Sequence, residues 1–531
     1  MEDKALEMGQ TSASGSFHLF IGKSVSTVVL AVGTIVLGLF ILQSDYGLYA
    51  IALIPAGTFM LFQDWGVGSA LTKYCATSKT AMKDFDGRKI IIAGLIFEIA
   101  TATVLTVISL LTARFMASSL FNKPEAASLI SLCSITVLSM SVLKTSQSIF
   151  VGFEKMQLYT YTMIVQAITQ SVLAPILVIL GYGAFGAIMG YTVSTIISGV
   201  LGLALVYFII FRKLDPSNKI QNLIQTLKTL LKYGIPLGIA SILTGLLGTV
   251  YSFMIASFYN VATIGDYRIA TNFAVLLGFV TIPISTVLFP VFAKLDPQKD
   301  LSLLRTIFKS SVKYTAILLV PVTMAMIVLS HPLIETIYGG KWPSAPYFLA
   351  LLAATYLVVV FGYWSTNSLF SGIGETRLLS GLILLTFFVG LPLGFLLAWW
   401  FGLPGIIIST AISELPSLFV GLYIAKKRFE AVLDYKSSAK IILASVIAAF
   451  FTYIFLIMFS LPNFLGLLIG ASIFLVIYLV VAPLIGAIDQ FDINNLSAMF
   501  SSSGVAAKIL KILLKIMEKS LRLRNSRSGH E

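Results

Sequence analysis

The sequence predicts an all-α polytopic membrane protein with about fourteen transmembrane helices, arranged as two six-helix lobes related by a parallel repeat plus two C-terminal helices. Three observations support this fold class. The 531 residues are 57% hydrophobic and 11% charged, whereas soluble domains carry roughly 25% charged residues. Apolar windows of about 20 residues, the length that crosses a hydrocarbon core, recur along the chain. Short motifs of the first half also return in the second half.

The repeat consists of three motif pairs in the same order at shifts of 218, 220 and 219 residues. A repeat of this length indicates two duplicated halves rather than a solenoid, and a shared site is expected where duplicated halves meet. The pairs are Gly47-x-Tyr49-x-Ile51-Ala52 with Gly265-x-Tyr267-x-Ile269-Ala270, Ser148-x-Phe150-x-Gly152 with Ser368-x-Phe370-x-Gly372, and Tyr182-Gly183-x-x-Gly186 with Phe401-Gly402-x-x-Gly405.

The apolar segments divide as six, six and two. An even number of helices per half gives both halves the same orientation, so the repeat is parallel. The segments are 17–42, 47–71, 90–111, 126–150, 159–180 and 185–211 in the first half; 233–259, 267–292, 314–333, 345–370, 378–401 and 405–425 in the second; then 441–459 and 464–485. The predicted domains are an N-terminal tail (1–16), an N-lobe (17–213), a linker (214–232), a C-lobe (233–428), a C-terminal helix pair (429–486) and a tail (487–531).

Connections rich in basic residues alternate with connections poor in them, as the predicted number of segments requires. Connections after odd-numbered segments hold only Arg114, Lys123 and Lys341, while those after even-numbered segments and the C-terminal tail carry many. The positive-inside rule then predicts a multi-pass protein of the cell membrane with both termini in the cytoplasm. The net charge of +13 therefore belongs to a cytoplasmic rim that attracts anionic lipids. Nucleic acid is not predicted as a partner, because no basic segment is interleaved with aromatic residues in a soluble domain.

Two segments outside the spans are amphipathic. Residues 219–232 alternate apolar and polar side chains, which favours an interfacial helix in the linker. The tail carries a basic stripe, which favours a membrane-surface anchor, with a partner-binding helix as the alternative. The stripe consists of Lys508, Lys511, Lys515, Lys519 and Arg522.

Motifs of soluble enzymes are absent or out of context. Gly181-Tyr182-Gly183-Ala184-Phe185-Gly186 fits the dinucleotide fingerprint, but it lies between two membrane segments and its echo at Gly402 and Gly405 indicates a structural hairpin. No nucleotide-hydrolysis or hydrolase motif occurs, and three scattered histidines and two cysteines match no metal spacing. We therefore expect no enzyme activity, no metal and no cofactor.

Three carboxylates lie within apolar segments, where a charge costs several kcal/mol unless it is paired or hydrated. Glu414, just before Pro416 in the twelfth segment, is the strongest candidate for an ion-coupling group; a protonated structural role is the alternative. Glu98 is a second coupling candidate, alternatively the partner of Lys144 in a buried ion pair. Asp64 is a third, for which helix termination is the simpler interpretation.

Three cations also lie within apolar segments. Lys23, Lys144 and Arg268 are candidates to line a cleft and bind an anionic substrate, because Lys and Arg bind phosphate oxygens by charge-assisted hydrogen bonds. The alternatives are snorkelling to the inner interface for Lys23, and pairing with Asp266 or a lipid headgroup for Arg268.

Several motifs resemble the polysaccharide and lipid-linked oligosaccharide flippases of the multidrug/oligosaccharidyl-lipid/polysaccharide superfamily. The resemblance covers essentially 17–485, and its individual motifs are only moderately specific, although their order is more so. They are Ser44-Asp45-Tyr46-Gly47-Leu48-Tyr49-Ala50-Ile51-Ala52, Asp64-Trp65-Gly66-Val67-Gly68-Ser69-Ala70-Leu71, Tyr233-Gly-Ile-Pro236-Leu, Tyr338-Gly-Gly-Lys-Trp342 and Gly372-Ile-Gly374-Glu375-Thr.

The resemblance implies alternating access and movement of a lipid-linked oligosaccharide across the membrane. We expect a pyrophosphate-type carrier, a monomer, and a sodium or proton gradient if transport is coupled. Arg268 is the position most similar to the arginines that bind pyrophosphate in lipid II flippases, but the first segment offers only Lys23, which makes lipid II itself less favoured. A cation-coupled multidrug antiporter of the same superfamily is the alternative, although that branch usually has twelve spans. A scaffold for glycan assembly that acts through its basic tail is the third.

Overall fold

A computed structural model describes residues 2–79, 86–214, 223–297, 299–500 and 505–528, and it contains helices and no strands in these ranges. The helices are α1 (Glu2–Phe40), α2 (Gln43–Leu61), α3 (Val67–Lys79), α4 (Gly87–Phe115), α5 (Ala127–Gly152), α6 (Met156–Leu177), α7 (Gly183–Leu205), α8 (Leu223–Phe258), α9 (Val261–Ala293), α10 (Leu301–Tyr338), α11 (Ala345–Thr355), α12 (Tyr363–Gly372), α13 (Thr376–Phe401), α14 (Leu403–Phe429), α15 (Tyr435–Met458), α16 (Asn463–Leu484), α17 (Gln490–Phe500) and α18 (Val505–Ser528). The predicted all-α polytopic fold is confirmed.

The number of membrane spans is lower by a strict test of length and composition. Ten helical stretches of the described residues qualify, or eleven if the bent pair Ala345–Phe361 and Tyr363–Gly372 is one span. One stretch, Met156–Lys213, has 58 residues because it contains both α6 and α7. The second and eighth predicted segments are the two that the test does not include. The second segment is a broken helix. In the eighth segment, the side chains of 279–291 are not among those that the structure describes.

Two predicted segments are broken helices. The segment predicted at 47–71 consists of α2, a break at 62–66 in which Gly66 has φ +79°, and α3. The segment predicted at 345–370 consists of α11, a short 3₁₀ stretch, Gly362 with φ +80°, and α12. Its two parts are bent by 55° relative to each other. Glycine suits both positions because a Cβ is strained at positive φ.

The two glycine hairpins predicted from the repeat are confirmed. Gly181 and Gly183, with φ of +94° and +49°, separate α6 from α7, and Gly402, with φ +66°, separates α13 from α14. Within each pair the two helices pack along each other. The fingerprint-like glycines are therefore the turns that reverse the chain, which is a structural role.

The chain divides into two compact units, 1–268 and 269–531. The first unit has a buried core that includes Leu71, Ile90 and Phe150. The second has two, one around Phe308 and Phe370 and one formed largely by α10, α15 and α16. From Leu223 onward, the linker residues form the first turns of α8, while 215–222 lie outside the description. The domain boundaries inferred from the repeat remain predictions.

Ion pairs join α10 to later connections of the second unit. Arg305, Lys309 and Lys313, spaced four residues apart, contact Glu430, Asp434 and the pair Asp489 and Asp492, respectively, at 2.5–3.3 Å. These cations lie on one face of α10 because residues four apart are neighbours on a helix. The ion pairs join α10 to the connection between α14 and α15 and to the start of α17.

The C-terminal tail packs against the second unit. Leu514, Met517 and Leu521 of α18 are buried in the core that contains α15 and α16, whereas Lys515, Lys519 and Arg522 are exposed. The predicted amphipathic character is therefore present in the described part of α18, with its apolar face covered by the protein itself.

A buried lysine fastens the connection between α4 and α5. Lys123 is 8% exposed, and its Nζ donates to the carbonyl of Phe121 at 2.9 Å and to that of Ala256 at 2.6 Å. Ala256 lies in the last turn of α8, where carbonyls have no partner within the helix. The lysine therefore caps α8.

Replacing Lys123 with Ala leaves these two carbonyls without their donor. We expect a loss of about 1–3 kcal/mol, the cost of an unsatisfied buried polar group, measured as a lower midpoint of thermal unfolding in detergent. Lys213→Ala, at an exposed position, is the matched control. Equal midpoints for the two variants would contradict the capping role.

Candidate functional site

Residues at or beside the starts of the two copies of the repeated signature contact each other within the first unit. A Cβ at Gly47 would lie 1.8 Å from the carbonyl oxygen of Val261, so α2 and the start of α9 contact each other backbone to backbone. Gln43 Nε2 donates to Asp266 Oδ1 at 2.8 Å across the same contact, and Asp266 is 2% exposed. Glycine at position 47 makes this approach sterically feasible.

Arg268 lies just beyond this contact and is half-buried. Its guanidinium is close enough to the phenol groups of Tyr49, Tyr191 and Tyr267 to act on them electrostatically. Guanidinium and phenol groups can both donate hydrogen bonds, and such donors suit phosphate or carboxylate oxygens.

Glu98 lies in a second polar site of the first unit, next to the break between α2 and α3. The carboxylate, 2% exposed, accepts hydrogen bonds at Oε2 from Gln63 Nε2 and from Ser141 Oγ. Lys144 is exposed, and the described residues contain no ion pair between it and Glu98. Glu98 is therefore held by neutral groups, not by the ion pair that was one of the two interpretations of its sequence position.

The remaining predicted residues have different environments. Asp64 Oδ1 accepts from the amide of Gly68 at 3.2 Å, which satisfies a free N–H in the first turn of α3. Lys23 is exposed on α1. Lys144 acts electrostatically on Glu98, while Arg268 acts on the tyrosines, so no neighbour is common to these two cations among the interactions described.

Glu414 lines a cavity of about 410 Å³ in the second unit. The Tyr363 hydroxyl donates to its carboxylate, and the Asn367 amide donates to that hydroxyl. Gly362 precedes Tyr363 at the bend, and Pro416 follows Glu414 within α14. The lining residues are Thr271, Ala274, Val275, Leu352, Thr355, Tyr356, Val358, Val359, Tyr363, Trp364, Asn367, Thr410, Ala411 and Glu414.

The cavity has the chemistry of a cation site. The described residues that line it include no Lys or Arg, and its polar groups are one carboxylate, hydroxyls, an amide and the indole of Trp364. A carboxylate at membrane depth beside a broken helix suits a proton or a metal cation, and aromatic faces suit an organic cation. No group of three or more His, Cys, Asp or Glu in the described ranges is placed to hold a metal ion.

The residues that complete these sites were missed by sequence reasoning. They are Tyr49 and Tyr191 beside Arg268, Gln63 and Ser141 beside Glu98, and Tyr363 and Asn367 beside Glu414. Tyr49 belongs to the repeated signature, and Gln63 and Asn367 are amides within apolar segments. Uncharged polar residues in apolar segments were therefore a usable signal.

Solved structures share this fold. The lipid II flippase MurJ in an inward closed conformation superposes with a TM-score of 0.70 at 16% identity, over 87% of this chain and 97% of MurJ. An inward-facing multidrug resistance MATE family transporter superposes with a TM-score of 0.59 at 19% identity, over 78% and 98%. These similarities show that the chain has the fold of multi-span, all-α membrane proteins.

The family follows from the sequence match. Residues 12–296, more than half of the chain, match the model of the family described as polysaccharide biosynthesis protein. The chain belongs to this family, which confirms the resemblance seen in the sequence.

Two known proteins are similar in sequence to parts of the chain. Membrane protein MJ1375 of Methanocaldococcus jannaschii is 24% identical over 296 residues, 54% of this chain and 69% of that protein. The lipopolysaccharide biosynthesis protein WzxC of Escherichia coli is 31% identical over 129 residues, 24% of this chain and 26% of WzxC.

The difference in exposure between Glu414 and Glu98 predicts different chemical reactivity. We expect a hydrophobic carbodiimide to label Glu414, which borders a cavity, faster than Glu98, which is 2% exposed. Peptide mass spectrometry of the labelled protein measures both rates. Glu414→Gln provides the control, since it should abolish the signal from its own peptide, and equal rates for the two carboxyls would contradict the described cavity.

Proposed function

We propose that this chain is a flippase that moves a lipid-linked, pyrophosphate-type oligosaccharide or polysaccharide repeat unit across the membrane by alternating access. The observation that carries the proposal is the match of 12–296 to the polysaccharide biosynthesis family. The partial match to WzxC, named for lipopolysaccharide biosynthesis, supports the same substrate class. Flipping breaks and forms no covalent bond, so the proposal includes no enzyme activity.

Arg268 is the proposed centre of headgroup binding. Its guanidinium and the hydroxyls of Tyr49 and Tyr191 are donors that suit pyrophosphate oxygens. Lys144 and Lys23 are exposed, so in this proposal they attract the anionic headgroup as it approaches. The hydrocarbon tail of the carrier would remain in the lipid while the headgroup crosses.

Glu414 is the proposed coupling group, binding a proton or a sodium ion in its cavity. Glu98 is the second candidate. Asp64 is the weakest, because its carboxylate already caps α3. The proposal further includes a monomer in the plasma membrane, both termini in the cytoplasm, and anionic lipids against the basic rim.

Cation-coupled multidrug antiport is the second candidate function. The observation that favours it is the Glu414 cavity, which joins a carboxylate to aromatic residues and has no basic residue among those that line it. A cavity of this chemistry suits an organic cation. In that case the carboxylate would bind substrate, and Arg268 would be dispensable.

The headgroup proposal predicts that Arg268→Ala loses flipping of a fluorescent lipid-linked oligosaccharide in proteoliposomes. We expect a rate about 10- to 100-fold lower, because a hydrogen bond to a charged group contributes ~1.5–3 kcal/mol. Arg377→Ala, an exposed arginine in the first turn of α13, is the matched control and should flip normally. Equal rates for the two variants would exclude Arg268 from headgroup binding.

The coupling proposal predicts a different defect for Glu414→Gln. An amide cannot take up and release a proton, so flipping should continue down the substrate gradient but lose its response to an imposed proton or sodium gradient. The two gradients are applied separately to vesicles of the same preparation. Absence of flipping by the unmodified protein with several lipid carriers, together with gradient-driven efflux of organic cations that requires Glu414, would replace the flippase by the antiporter.

A further inference from the structure

The Gln63–Glu98–Ser141 cluster is a buried site whose hydrogen bonds are incomplete. Gln63 and Glu98 are 1% and 2% exposed. Gln63 Nε2 donates to Ser141 Oγ at 2.8 Å as well as to Glu98 Oε2, and Ser141 Oγ also approaches the main-chain oxygen of Glu98 at 3.3 Å. The cluster thereby joins Gln63, in the break, to both α4 and α5.

Two acceptors of this cluster have no donor. Glu98 Oε1 and Gln63 Oε1 are buried and have no hydrogen-bond partner in the described structure. A buried carboxylate without a charged partner is costly to keep ionised. A proton on Glu98 Oε1 removes that charge and turns one of the two unsatisfied acceptors into a donor. A metal cation fits less well, because hard cations take about six or more oxygen ligands and Oε2 is already occupied by two hydrogen bonds.

The charges around Glu98 are few and differ in sign. Asp64, from the connection between α2 and α3, and Lys144, from α5, are the charged groups that act on it electrostatically. The helices α2, α3 and α8 also pack against α4, and no ion pair among the described residues involves Glu98. Gain or loss of one proton at Glu98 therefore changes the net charge of the site.

The break beside this cluster is also packed directly against α8. A Cβ at Gly66 would lie 1.9 Å from the carbonyl oxygen of Gly234, and a Cβ at Gly238 would lie 2.5 Å from the carbonyl carbon of Trp65. Two small residues four apart allow such backbone contact between membrane helices. A movement of the break would therefore also move α8. In the sequence repeat, α8 is the first helix of the second half.

We propose that Glu98, with Gln63 and Ser141, is a proton-binding latch for the break between α2 and α3. With the proton bound, the neutral carboxyl stays buried and the break is held on α4 and α5. Loss of the proton charges the site, weakens this attachment and frees the break to move against α8. The biological purpose of the latch rests on the proposed transport function. Binding of the proton does not, because it is tested separately.

Hydrogen–deuterium exchange of the amides of 62–68 tests the latch in the purified full-length protein. After correction for intrinsic rates, exchange at pH 5.5 should be about tenfold slower than at pH 8.5, the factor that one buried hydrogen bond contributes. The change should follow the titration of a single proton. Glu98→Gln, a neutral isostere, should exchange slowly at both pH values, while Glu414→Gln should retain the pH response.

Several results would overturn the latch. They are pH-independent exchange in the unmodified protein, a pH response that persists in Glu98→Gln, or a response to sodium against choline at fixed pH. If Glu98→Gln does not fold, the unmodified protein still decides the question, because a gradual drift in place of a one-proton curve contradicts the proposal. A protein that shows the response but flips no lipid would contradict the transport proposal and leave the latch standing.

Discussion

A broken helix in apolar surroundings needs partners for main-chain groups that lipid cannot satisfy. Among the described residues, two of the predicted spans contain such a break, at 62–66 and at Gly362, and each has polar residues beside it. Asp64 accepts from the first turn of α3, and Gly362 N–H reaches the carbonyl of Val359 at 2.8 Å. Glu98 and Glu414 therefore lie next to the two places where the fold has to supply hydrogen bonds to the main chain.

Glycine contacts connect these breaks and the basic site to the rest of the first unit. Gly47 lets α2 approach Val261, which brings Tyr49 near Arg268. Gly66, in the break that follows the other end of α2, lets the chain approach α8. One helix, α2, thus extends from the proposed headgroup site to the proposed proton site, and a tilt of α2 would alter both. Backbone contacts suit this role because they leave no flexible side chain to absorb the movement.

Features that depend on hydrophobic periodicity and charge could be predicted from the sequence. Contacts between residues far apart in the chain were predicted less well. Composition, apolar windows and glycine echoes are local properties, so the all-α fold and both hairpins were predictable. The break at 62–66 was predicted only in part, since helix termination at Asp64 was one interpretation within a segment that was otherwise taken as continuous to residue 71. The neighbours of Glu98 and Glu414 were missed for another reason. Ser141 is 43 residues from Glu98 along the chain, and only packing brings them together.

The repeat also separates positions that determine fold from those that carry charge. At the shift of 218 residues, Gly47 and Tyr49 recur as Gly265 and Tyr267, but Ala50 corresponds to Arg268. At 219 residues, Gly183 recurs as Gly402, but Thr195 corresponds to Glu414. Thr195 shares a neutral hydrogen bond of 2.7 Å with Ser139, whereas Glu414 borders an open cavity. Two copies that keep the same turns need no buried charge for their fold, because the first copy forms without one at these positions. This comparison supports the proposal that Arg268 and Glu414 serve binding rather than folding.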